Sequence, residues 1–259
     1  MMNYLNPLRT YDFQNDKILC WFSCGATSAM ATYLTLRDYP RENIEILFCD
    51  TGSEHESSYV FLEDYQRRFN CEIKILKNEK YADIWDVFEK EKYITSPYGA
   101  PCTRLLKKAM RQQYEGPHDI QVFGYDRNEQ HRQERLIAGS PEVKIFCPLL
   151  ENGLSSSDAK GWLLDQGFEL PFMYQPQKSG SPYNHNNCIG CVKGGMGYWN
   201  KIRIDFPHVF DRMAKLERQI GYSINDVYLD ELNPNRGRFE DEPPMSCDML
   251  CQIIMGDKK

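Results

Sequence analysis

"ILCWFSCGATSAMATYL", residues 18–34, passes from an apolar run through a cluster of small residues into an apolar pattern of helical spacing. The junction reads as a buried strand, a tight loop and a helix N-terminus, where bare backbone N–H groups and the helix dipole can face an anion. A second apolar run, IEILFC at 44–49, follows the helical segment 28–37, which makes a β-α-β unit. Ser53 followed by Glu56 predicts a capping box ahead of a helix through SYVFLEDYQRRF, 58–69. Further strands are expected at 72–76, 120–126 and 143–150, and helices at 82–92, 103–114 and 157–165. This alternation predicts a doubly wound, mostly parallel α/β sheet whose ligands sit beyond the carboxyl ends of the strands. The polar clusters 23–28, 50–54 and 124–132 all fall there.

Composition narrows the class. With 259 residues, 41% of them hydrophobic, the chain can build a full core, and a net charge of −6 argues against a protein given wholly to coating nucleic acid. No stretch approaches the ~20 apolar residues of a membrane span. The start MMNYLNPLRTYDFQND lacks the pattern of a signal peptide, so the expected location is the cytoplasm, without membrane partners. Ten cysteines then read as thiols, metal ligands or redox groups before they read as a disulfide scaffold.

The motifs recur in an order that resembles a known family. FSCGATSA (22–29) looks like the PP-loop of the adenine nucleotide alpha hydrolase superfamily, in particular its phosphoadenosine phosphosulfate (PAPS) reductase-like branch, including phage members. CDTGSEHESSYVFL (49–62), CTRLLKK (102–108), GYDRNEQHR (124–132), PLLENGLSSSDAKGWL (148–163) and NNCIGC (186–191) follow in the family's order. The resemblance implies that Ser23, Gly25 and Ser28 hold nucleotide phosphates, with Cys24, Thr27 and Gly124 in the same pocket. It implies that Asp50 and Thr51 supply an acid and a hydroxyl, with magnesium as a candidate at Asp50, and that Arg127, Glu129 and Arg132 lie near the substrate. Cys24 stands where the family usually has Gly and Thr27 where it usually has Asp, so nucleotide binding is better supported than splitting of ATP. Residues 1–16 are read as an extension, 17–152 as the PP-loop domain and 153–259 as a mainly helical, Cys-containing appendage.

Cys188-Ile-Gly-Cys191 has a spacing that lets two thiolates meet one metal. By resemblance, Cys102 before TRLLKK adds a third ligand, and Cys102, Cys188 and Cys191 would hold a [4Fe-4S] cluster. Two alternatives stand beside it: a zinc site completed by Cys247 and Cys251, and Cys247 or Cys251 as a reductase-type nucleophile. The other cysteines, at 20, 24, 49, 71 and 147, read as core.

Trp199, Ile202, Phe206, Val209, Phe210, Met213 and Leu216 read as a helix pair packing on the domain. Lys193, Lys201, Arg203, Arg236 and Arg238 read as surface charge more readily than as an anionic groove, and His131 and His185 as surface or satisfied residues. What the resemblance implies is an enzyme binding ATP or PAPS, acting either as a sulfonucleotide reductase or by adenylation and sulfur transfer. Its partners would be an electron or sulfur donor protein, a nucleic-acid or small acceptor, and a second copy in a homodimer. A nucleotide-binding module without turnover is the third expectation.

Overall fold

The computed structural model describes residues 9–96, 99–239, 242 and 245. Strands β1 (Ile18–Trp21), β2 (Ile44–Asp50), β3 (Ile73–Lys77), β4 (Ile120–Val122) and β5 (Lys144–Phe146) form one sheet in the order β3-β2-β1-β4-β5. Every neighbouring pair is parallel, with Ile18 registered against Ile44 on one side and Ile120 on the other. Between and after the strands come α1 (Ala26–Asp38), α2 (Glu56–Phe69), α3 (Ile84–Glu91), α4 (Ala109–Tyr114), α5 (Gln130–Gly139), α6 (Pro148–Glu151) and α7 (Ser156–Asp165).

Side chains alternate across the sheet. Ile18, Cys20, Ile46, Phe48, Ile120 and Val122 bury one face against α1, α2 and α7, while Leu19, Trp21, Leu47, Cys49 and Ile145 bury the other against α4 and α5. Burial on both faces is why these strands read as unbroken apolar runs. The chain builds outward from β1 through β2 to β3, then returns to place β4 on β1's other side. The winding direction therefore reverses between β1 and β4, which opens a crevice at their carboxyl ends.

Local details depart from the sequence expectation for physical reasons. The cap of α2 is His55, whose Nδ1 accepts the Ser57 N–H at 3.1 Å, while Ser53 Oγ instead accepts the Ile84 N–H at 3.2 Å. Residues 148–150 are helix, not strand, because Pro148 lacks the N–H that a strand ladder needs but suits a first helical position. The segment Thr103–Lys108 is a π-helical turn leading into α4. The long stretch at 198–219 divides into α8 (Met196–Asp205) and α9 (Pro207–Ile220), broken where Pro207 disfavours helical backbone at Phe206.

A second core joins α3 to the C-terminal helices, with Trp85 and Phe88 packed among Trp199, Ile202, Val209, Phe210 and Met213. Lys201, expected on the surface, is buried there. Its ammonium meets Glu242 at 2.8 Å, donates to Pro182 O at 2.8 Å and lies over the Tyr183 ring. A buried charge persists only when paired, so this ion pair fastens residue 242 to α8. No described helix is long and apolar enough to cross a membrane. Replacing Glu242 with Leu should cost about 3–5 kcal/mol in denaturant unfolding by stranding Lys201, and the double change K201M/E242L should recover most of that loss.

Candidate functional site

Beyond β1 the chain turns through Ser23–Gly25 into α1, and the turn is tied from within. Ser28 Oγ accepts the Ser23 N–H at 3.1 Å and donates to Gly25 O at 2.9 Å, and the Ser23 hydroxyl donates to Ser28 Oγ at 3.0 Å. Cys24 has φ +57°, the left-handed region that favours glycine, which accounts for glycine being usual at this place in the motif. Gly25 caps α1 with no side-chain hydrogen bond, and the first turn carries no acidic residue. The positive end of the helix is thus left to groups from elsewhere in the chain or to a ligand.

Gly124, just after β4, packs directly on that corner: a Cβ there would stand 2.7 Å from Ser28 N. Only glycine lets the two loops of the crevice approach so closely. Tyr174, from the 3-10 turn Phe172–Tyr174, places its hydroxyl 3.3 Å from the Ala26 N–H and accepts from it. Lys160 of α7 lies over the same ring, 4.3 Å from its centroid.

The crevice is a cavity of about 390 Å³, within the range of small-ligand sites. Ser23, Gly25, Thr27 and Ser28 line one end, and Trp21, Leu47, Phe48 and Phe123 give it an apolar wall. Lys107 reaches it from the π-helical turn, and Glu129, His131 and Arg132 from the segment after β4. Glu129 and Arg132 form an ion pair, and the guanidinium stacks over Tyr125. Asp126 fixes this segment to α7: its carboxylate accepts the Asn128 and Ser156 N–H groups, both at 2.8 Å.

The loop carrying the C-x-x-C motif closes the remaining side. Ile189 N–H donates to Ser53 O at 3.0 Å, and Asn186 Nδ2 donates to Cys24 O at 2.8 Å and Ser58 Oγ at 3.0 Å. Within the motif, Tyr198 Oη accepts the Gly190 and Cys191 N–H groups at 3.0 Å, and Gly190 has φ +79°. Cys188 lines the cavity with its Sγ 3.0 Å from Thr51 Oγ1, and Thr51 in turn bonds Glu54 Oε1 at 2.8 Å. His185, also in the lining, accepts the Met245 N–H at 3.3 Å. Burial above all, then the charges of Lys160 and Arg132, bring its imidazole down to about 4, so it is neutral at pH 7.

The structure therefore gathers Ser23, Gly25, Thr27, Ser28, Gly124, Glu129, Arg132 and Cys188 around one cavity. Thr51 adjoins it through Cys188. Asp50 serves its own turn, accepting the Gly52 N–H at 2.8 Å and the Tyr59 hydroxyl at 2.7 Å, and is not in the lining. Arg127 is exposed, and the Cys24 side chain is buried in the sheet core. Cys102 and Cys191 pack with the C-terminal core and do not line the cavity. Among the described residues no three His, Cys, Asp or Glu side chains are grouped to hold a metal ion. Cys247 and Cys251 lie outside the described residues. Glu54, Lys107, His185 and Asn186 were not anticipated: they are single polar residues, and only their neighbours in CDTGSE, TRLLKK and NNCIGC marked the segments.

A five-stranded parallel sheet with a helix N-terminus at its switch point defines an α/β protein. The chain belongs to the phosphoadenosine phosphosulfate reductase domain family, which it matches over residues 17–170. It is 24% identical over 231 residues to the uncharacterized protein MJ0066 of Methanocaldococcus jannaschii, covering 83% of this chain and 44% of that one. To the uncharacterized protein MJ0973 of the same organism it is 22% identical over 223 residues, covering 83% and 51%. The chain thus spans about half the length of these curated relatives. Among solved structures it superposes on the U34-tRNA thiolase NcsA from Methanococcus maripaludis with its [4Fe-4S] cluster. That match has a TM-score of 0.40 and 16% identity, over 85% of this chain and 74% of that one.

Because Cys24 holds a left-handed backbone, Cys24→Gly should be more stable than Cys24→Ala by about 1 kcal/mol in urea unfolding. An anion bound at the start of α1 should raise the His185 pKa from about 4. Imidazole resonances followed through a pH titration with and without nucleotide should show that upward displacement, and an unchanged midpoint would count against a shared pocket.

Proposed function

We propose that this protein is a PP-loop enzyme that binds an adenine nucleotide in the crevice between β1 and β4 and reduces a sulfonucleotide at its sulfate end. The observation that supports this most is the start of α1, which has no cap from its own Gly25 and no acid in its first turn, beside a cavity with apolar lining. The apolar wall suits a purine, the N–H groups suit its phosphates, and Lys107 and Arg132 add positive charge.

In this reading a cysteine thiolate adds to the sulfate sulfur. The S–O bond to the phosphate breaks, its electron pair leaves on the phosphate oxygen, and an S-sulfonated cysteine and adenosine bisphosphate result. A second thiolate then attacks the cysteine sulfur, sulfite leaves, and the disulfide is reduced by a thiol donor. Cys188 and Cys49 are the thiols among the residues described in the cavity lining, of which Cys188 lies on the loop that closes it, and Cys247 or Cys251 is the nucleophile that the family resemblance suggests.

Incubation with PAPS and a dithiol should release sulfite, and Cys188→Ser or Cys247→Ser should lower that rate by at least about 100-fold, depending on which thiol attacks. Pyrophosphate release from ATP with thiolation of an acceptor, together with iron and acid-labile sulfide in anaerobically purified protein, would favour adenylation and sulfur transfer instead. Binding without any product would favour a nucleotide-sensing module.

A further inference from the structure

Asn186 holds an unsatisfied atom. Its side chain is 9% exposed and lines the cavity, both amide hydrogens are spent on Cys24 O and Ser58 Oγ, and its Oδ1 has no hydrogen-bond partner among the described residues. The orientation is fixed chemically, because turning the amide over would set oxygen against the Cys24 carbonyl. Leaving a buried acceptor unmet costs about 1–3 kcal/mol, and on a side chain that borders a ligand cavity such an atom calls for a donor.

The donor's identity follows from position. Oδ1 repels phosphate oxygens, yet the same side chain is bonded to the carbonyl of Cys24, inside the loop assigned to phosphate. The part of a nucleotide that carries hydrogen-bond donors and adjoins its phosphate is the sugar. We infer that Asn186 Oδ1 accepts a hydrogen bond from a ribose hydroxyl, making Asn186 a specificity residue for ribonucleotides over deoxyribonucleotides. The inference rests on the nucleotide reading above. It assigns the C-x-x-C loop a task independent of its thiols: carrying the sugar-reading residue to the phosphate loop.

The test is a cycle of ligand and protein changes. Affinities for ATP, 2′-deoxy-ATP and 3′-deoxy-ATP are measured by calorimetry on the wild type and on Asn186→Ala, with Asn186→Ser as a second variant should the first fold poorly. The wild type should bind ATP about 10-fold more tightly than one of the two deoxy forms, and the variant should bind them within about twofold of each other. Loss of the bond to Cys24 alone would weaken all three ligands alike and leave their ratio intact. A wild-type ratio near one, or a ratio that survives in both variants, overturns the assignment while leaving nucleotide binding in place. Failure of all three ligands, and of PAPS titrated in the same way, to bind the wild type would overturn the nucleotide reading itself.

Discussion

The positive end of α1 is the constraint around which the rest of the site is arranged. A helix that starts on glycine, with no acid in its first turn, leaves N–H groups that the chain must cover with something. One of them is met by the Tyr174 hydroxyl, and Gly124 closes against the backbone of the same turn. The sheet order makes this possible: β4 lies against β1 on the side away from β2, so the loops after β1 and β4 face each other across the crevice.

Distant segments are drawn to that corner by ordinary polar contacts. Asn186 bonds the carbonyl of Cys24, Ile189 bonds Ser53, and Asp126 bonds the start of α7. Through these ties the C-terminal loop becomes one wall of a cavity whose floor belongs to the sheet. Its far end is secured by a buried ion pair between Lys201 and Glu242, and Met245 completes the lining. Fold and site share these contacts, because the segment that brings Cys188 into the cavity also roofs it.

Much of this was legible in the sequence, and the reason is local. Apolar runs at 18–22 and 44–49 admit few readings other than strands buried on both faces, and small residues between such a strand and a helix leave the backbone exposed to a ligand. What local pattern does not encode is which way a side chain turns at a loop. Asp50 looked like a ligand-facing acid and instead binds its own turn and Tyr59. Lys201 looked like surface charge, and its burial depends on Glu242, far along the chain. Arg127 and Arg132 are equally basic in the sequence, but one is exposed while the other lies over Tyr125 in the cavity lining. His185 and Asn186 gain their meaning only from the tertiary contacts that set them against the phosphate loop.

The most direct test of the central claim is the behaviour of the backbone amides at the start of α1. Resonances of Thr27 and Ser28 N–H, assigned in isotope-labelled protein, are followed as an adenine nucleotide is added. Saturable displacement of these amides, together with slowed hydrogen exchange, is the predicted result. Nucleotide that binds while leaving both amides unmoved would contradict the account.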